Sequence, residues 1–191
     1  MKEIKPEDIK EMSKSELHKT LYEYFKPVLE DCSQGARLKY IREYRQLSTK
    51  AVAELCPHLT GENKIRSIQK YERNDRSPKP YILEDLAKVY DVNINAIRKY
   101  DGTNPIDELY RMVWLEEQFP GYEIDLKCAS SIPSSNNRNI VKAFNKWINM
   151  REKRKNREIS YAEYIEYVLH LNLEDDNNEW RIIRTITNRL I

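Results

Sequence analysis

Between Lys64 and Lys79 the chain sets six basic residues against two acidic ones, with Ser67 and Gln69 interleaved among Lys64, Arg66 and Lys70. Arg and Lys donate to guanine edges, Gln pairs with adenine and Ser serves either, while further cations grip phosphate. These side-chain types on one helical face have the chemistry to recognise a nucleic acid. The other candidates for chemistry are poorer. His18, His58 and His170 have no ligand partners nearby in sequence, and Cys32, Cys56 and Cys128 are odd in number, far apart and outside any C-x-x-C arrangement. Neither a metal site nor a disulfide framework is indicated. Glu174-Asp175-Asp176 lacks the spacing of a calcium loop. With no phosphate-cradling glycine loop, nucleophile elbow or Cys/His pair at useful spacing, the chain is expected to be no enzyme and to use no cofactor or metal.

Charge is distributed unevenly along the 191 residues. Residues 1–32 carry 6 Lys/Arg against 8 Asp/Glu, residues 33–104 carry 14 against 9, and residues 105–191 carry 13 against 14. The net values of −2, +5 and −1 make up the formal +2, so the positive excess coincides with the segment that holds Lys64 to Lys79. A second basic run, Arg151 to Arg157, has five basic residues in seven, but cations near a helix C-terminus are favoured by the helix dipole in any case. No apolar run approaches the length of a membrane span, and Met1-Lys2-Glu3-Ile4-Lys5 lacks the apolar core of a signal peptide. A soluble, cytoplasmic protein is expected.

Helical spacing dominates the chain, and with four glycines and thirteen tyrosines it points to an all-α fold. Ser13 with Glu16 predicts a capped helix whose apolar stripe is Leu17, Leu21, Tyr24 and Val28, stopping or kinking near Pro27. Residues 34–44 follow as a helix with Leu38, Ile41 and Tyr44 inward, and Ser48 caps a short helix carrying Val52, Ala53 and Leu55, which Pro57 ends. Beyond the loop Pro57 to Gly61, a helix over 62–73 turns Ile65, Ile68 and Tyr71 inward and Lys64, Arg66, Ser67, Gln69 and Lys70 outward. Pro80 opens the next, with Ile82 or Leu83, Leu86, Ala87 and Tyr90 inward, and a last short helix holds Ile94, Ile97 and Tyr100. Asp101 to Pro105 marks a boundary, with Asn104 as cap of a helix that reaches Phe119. An irregular connector over 120–139 leads to helices marked by Ile140, Phe144, Trp147 and Ile148, by the Ser160/Glu163 box with Ile165, Val168 and Leu169, and by Trp180, Ile183, Ile186 and Leu190. The organisation read from this is an N-terminal helical extension (1–32), a five-helix domain (33–104) and a helical C-terminal region (105–191).

Residues 35–101 resemble the Cro/C1-type helix-turn-helix family, also called the Xre family, of phage repressors and bacterial regulators. The resemblance rests on an ordered set: Arg37-Leu38-x-x-Ile41-Arg42, Leu47-Ser48, Val52-Ala53, Ile68-x-x-Tyr71-Glu72-Arg73, Arg76-Ser77-Pro78, and Leu83-x-x-Leu86-Ala87-x-x-Tyr90-x-Val92-x-x-x-Ala96-Ile97. The chain departs from the pattern at Thr49, where the family commonly has Gln, and in a longer turn at Pro57 to Gly61. The resemblance implies a five-helix, lambda-repressor-like domain that binds double-stranded DNA with its third helix. It implies base contacts from Lys64, Arg66, Ser67, Gln69 and Lys70, phosphate contacts from Thr49, Lys50, Arg73, Arg76 and Lys79, and a structural salt bridge between Arg42 and Glu72.

The expected function is sequence-specific binding of double-stranded DNA by a transcriptional regulator, a repressor, acting as a homodimer because one reading helix covers few base pairs. The aromatic residues Tyr110, Trp114, Phe144, Trp147, Tyr161, Tyr164, Tyr167 and Trp180 would serve dimerisation, sensing of a protein or small-molecule effector, or the region's own core. The alternative is an antitoxin or adaptor whose C-terminal region binds a protein partner, with DNA binding secondary.

Overall fold

The computed structural model describes residues 27–102, 104, 106–119 and 138–172. Every regular element among them is an α-helix: α1 (Gln34–Tyr44), α2 (Thr49–Leu55), α3 (Lys64–Glu72), α4 (Pro80–Tyr90), α5 (Ile94–Ile97), α6 (Ile106–Gln118), α7 (Arg138–Lys155) and α8 (Tyr161–Leu169). No helix among the described residues is long and apolar enough to cross a membrane. The helix expected after Ser13, the connector over 120–137 and the helix around Trp180 lie outside the described residues.

Side chains set the starts of these helices. Ser33 accepts from the Ala36 N–H, Ser48 from Ala51 and Asn93 from Asn95, each relieving one of the donors that a helix N-terminus leaves without a partner. Pro80 opens α4, where its missing N–H costs nothing. Ser160 and Glu163 form a reciprocal capping box on α8. The ends are less usual. A left-handed residue closes α1, α3, α4 and α7, and in a chain with four glycines that residue is Gln46, Asn74, Asp91 or Arg157.

The buried side chains form one cluster. It starts with Leu38, Ile41, Val52, Ala53, Ile68, Leu86 and Ile97 and continues without a break through Leu109, Trp114, Phe144, Trp147, Ile165 and Val168. The composition boundary at Asp101 to Pro105 is therefore not a boundary of the core. Tyr110, Trp114, Phe144, Trp147, Tyr164 and Tyr167 are all buried in this cluster, and Tyr161 is half-buried against it. Polar bonds tie the same elements together. Tyr40 of α1 and Tyr161 of α8 both donate to Glu117 Oε1 of α6, at 3.0 and 2.7 Å. Arg45 bonds the Tyr90 carbonyl at 2.6 Å and Glu166 Oε2 at 3.0 Å, and Asn93 N–H donates to the Leu169 carbonyl at 2.8 Å.

Three inward assignments are corrected. Val28 is 77% exposed, and it is Leu29 that is buried. Leu55 is 58% exposed because Cys56, four residues after Val52, takes the inward place at the end of α2. Ile65 is 41% exposed. Tyr100 lies beyond the end of α5, half-buried, with the Arg37 guanidinium 3.8 Å from its ring centre. That arginine is itself buried and donates to the carbonyls of Ser33, Ala96 and Arg98, which fastens α5 to α1.

α1 and α3 meet at backbone distance. A Cβ at Gly35 would stand 2.5 Å from the Glu72 carbonyl oxygen and 2.6 Å from that of Tyr71. Neither is the yielding end of a side chain, so the helices would have to separate. Gly35→Ala is expected to lower stability by about 1–3 kcal/mol, the usual cost of overpacking, read as an earlier urea midpoint with an unchanged slope.

Candidate nucleic-acid interface

The site is built on α3, whose inward face is Ile68 and Tyr71. Its C-terminal end is held at several points. Asn74 adopts φ 61° and closes the helix, with the Asp75 N–H returning to the Lys70 carbonyl at 2.9 Å and the Asn74 N–H to that of Tyr71 at 3.1 Å. The Asn74 side chain accepts from the Gly35 N–H at 2.8 Å and donates to Ser33 Oγ at 2.8 Å. Arg42 of α1 grips Glu72 with both carboxylate oxygens engaged, Nε to Oε1 at 2.6 Å and Nη2 to Oε2 at 3.0 Å, and its Nη1 donates to the Leu47 carbonyl at 3.0 Å. Burial works against the Arg42 charge, but the bonds from Glu72 outweigh it and hold the guanidinium pKa above its ordinary value.

The turn between α2 and α3 is long, yet it is anchored. Leu59 is buried, and the His58 N–H donates to Asp85 Oδ2 at 2.9 Å while the His58 ring stands 3.0 Å from Oδ1. Asp85 lies on the buried face of α4 between Ile82 and Leu86. Burial pushes its carboxyl pKa up, the hydrogen bonds and charge of His58 pull it down, and the result lies below the ordinary value. Cys56 at the head of the turn is buried, which pushes its thiol up to about 11 and leaves it a packing residue.

On the outward side of α3, Arg66 and Gln69 are exposed and Lys70 is half-buried, and none of the three side chains makes a hydrogen bond or ion pair among the described residues. Ser67 is half-buried and its hydroxyl donates to the Asn63 carbonyl at 3.2 Å. Lys64 is half-buried on the same side as Ile68, four residues on, and close enough to Cys56 to favour its thiolate. Beyond α3, the exposed Arg76 side chain makes no such bond among the described residues, Arg73 pairs with Asp75 at 2.9 Å, and Lys79 stands 5.8 Å from the Tyr81 ring centre. At the start of α2, Thr49 is half-buried and Lys50 is exposed, 3.9 Å from Glu54. Ion pairs as exposed as these contribute little, so they would yield to a phosphate at small cost.

The basic run at the end of α7 is partly spent on structure. Arg151 bonds Glu116 at 2.7 Å, and Arg154 stands 3.7 Å from Glu117 and lies over the rings of Tyr161 and Tyr164. Among the described residues no group of three or more His, Cys, Asp or Glu side chains could hold a metal ion.

Sequence reasoning missed four residues that shape the site. Asn74 and Gly35 carried the ordinary signals of a helix end and a close approach, while Asp85 was legible as a charge on an apolar helix face. Ile65 was missed by phase. Successive three-residue steps rotate the stripe by about 60°, so Ile65, Ile68 and Tyr71 span too wide an arc for all three to stay covered. In comparisons with known proteins, the chain matches no family model, no curated protein and no solved structure.

The Asp85 anchor makes stability depend on pH. A carboxyl whose folded pKa lies below its unfolded one stabilises fully above the unfolded value and loses that contribution as pH falls through the folded one. The stability advantage of the native protein over Asp85→Asn is expected to shrink as pH drops below about 4, measured by urea unfolding across an acid series.

Proposed function

We propose that the protein binds double-stranded DNA sequence-specifically, with α3 in the major groove, as a transcriptional regulator of the Cro/C1 type. α1 to α5 then correspond to the five helices of a lambda-repressor-like domain. The observation that carries the reading is the outward face of α3. Among the described residues the side chains of Arg66, Gln69 and Lys70 make no hydrogen bond or ion pair, on a helix whose opposite face and C-terminal end are fixed. Side chains that recognise bases need such a combination of unengaged donors and a backbone held in place. In this reading Arg66, Gln69 and Lys70 meet base edges, with Lys64 and Ser67 at the margin. Thr49, Lys50, Arg73, Arg76 and Lys79 meet phosphates on either side. Arg42 and Glu72 keep the helix at its angle. The protein acts as a homodimer on two half-sites, because a nine-residue helix reaches too few base pairs for specificity alone.

Support comes from the ordered residue set and the geometry rather than from any relative. Among the described residues, Tyr110, Trp114, Phe144, Trp147, Tyr164 and Tyr167, which an adaptor's C-terminal region would use for a partner, are in the chain's own core and lend that alternative no weight.

Selection of bound sites from a random duplex pool tests the reading, with an inverted repeat as the expected product. At the selected site, Arg66→Ala or Gln69→Ala is expected to cost about 1–3 kcal/mol and to relax preference at one base position. Arg76→Ala should instead weaken binding to every sequence and reduce the slope of log affinity against log salt by about 1. Unchanged affinities in all three variants would exclude α3 as the reading helix.

A further inference from the structure

The 41% exposure of Ile65 places an apolar side chain in the first turn of α3, where the polar residues beside it are those proposed to reach bases. Four residues on, Gln69 shares its side of the helix, and Arg66 lies next to it in sequence and outward. Ile65 is not among the buried residues of the core. Ile68 and Tyr71 complete the inward face, Lys64 occupies the position next to Ile68, and the turn before α3 buries Leu59 instead. A β-branched residue also lowers helix propensity in a helix whose Asn63 makes no side-chain cap. The major groove offers one apolar group, the C5-methyl of thymine, and an aliphatic side chain among hydrogen-bonding neighbours is the complement it needs.

We propose that Ile65 is a specificity-determining residue that packs against the C5-methyl of a thymine in each half-site. The inference rests on α3 being a DNA-reading helix and adds a contact to the C5-methyl, a group that hydrogen-bonding side chains do not read. Recognition by this contact is independent of salt, since no phosphate or counterion takes part in it. The flanking cations Arg66 and Lys70 bring the anionic duplex to the helix, and the isoleucine contributes only once the groove is entered.

The test uses the full chain and the site selected from a random duplex pool. Each thymine of that site is replaced in turn by deoxyuridine, which removes the C5-methyl and nothing else. Affinity is expected to fall about fourfold at one thymine of each half-site, the worth of burying a single methyl-sized group. With Ile65→Ser, whose exposed position leaves the fold intact by its unfolding curve, the native site should bind more weakly and the deoxyuridine exchange should have no further effect. Ile65→Val should keep the dependence on the methyl. An enriched site whose thymines all tolerate the exchange, or one with no thymine, overturns the contact alone. Loss on exchange that persists in Ile65→Ser overturns it too. A pool that yields no enriched sequence overturns the DNA reading of α3 and the isoleucine contact together.

Discussion

The approach of α1 to α3 at Gly35 is the constraint on which the rest of the structure depends. With the carbonyls of Glu72 and Tyr71 inside the space of a Cβ, the two backbones are as close as packing allows. Three polar contacts then fix their mutual rotation: Asn74 to the Gly35 N–H, Asn74 to Ser33, and Arg42 to Glu72. A half-buried ion pair is a weak source of stability, because desolvation offsets much of the attraction. Its value here is geometric, since a two-pronged guanidinium tolerates one orientation of its carboxylate. All of these contacts lie at the C-terminal end of α3, away from Ile65 and Arg66, which stay exposed in its first turn.

α1 is held from the other side as well. Gly35 and Arg42 lie on one flank of that helix, and Tyr40 and Tyr44 lie about half a turn away. The first flank meets α3, while the second meets α6 and α8 through Glu117, Trp114 and the Ala162 carbonyl. The C-terminal helices are therefore a buttress for the helix that orients α3, not an appendage joined by a linker. Arg45 extends the same role to the end of α4, where it joins the Tyr90 and Asp91 carbonyls to Glu166.

Much of the helical framework could be read from local signals. The Ser33 to Tyr44 segment, the Ser48 cap and the Ser160/Glu163 box each fix a boundary through a hydrogen bond made within a few residues, and Pro80 fixes one through its preset φ and missing N–H. What escaped the sequence was set by contacts far apart in the chain. Asp85 is needed on a buried face only because the turn holding His58 folds back on it. Arg37 looks like a surface cation until the carbonyls of Ala96 and Arg98 are brought to it. Periodicity failed at Leu55 and Ile65, near the ends of short helices, where one residue more or less decides which side chain is covered. The outward face of α3 was legible as a list of residue types, but which of them crowd toward the core depended on the phase of the helix.

Rigidity has a direct bearing on how such a face binds. Ordering a side chain at an interface costs about 0.5–1.5 kcal/mol, and ordering a loop costs more. With its backbone already held by Gly35, Asn74 and Glu72, α3 would meet only the side-chain part of that cost in the proposed complex. The long turn at 56–63 would undo this advantage if it moved freely. Buried Cys56 and Leu59, with the bonds from His58 to Asp85, prevent it from doing so. A longer turn thus changes the path between α2 and α3 without loosening the helix that follows, because its restraint comes from α4 rather than from its own shortness.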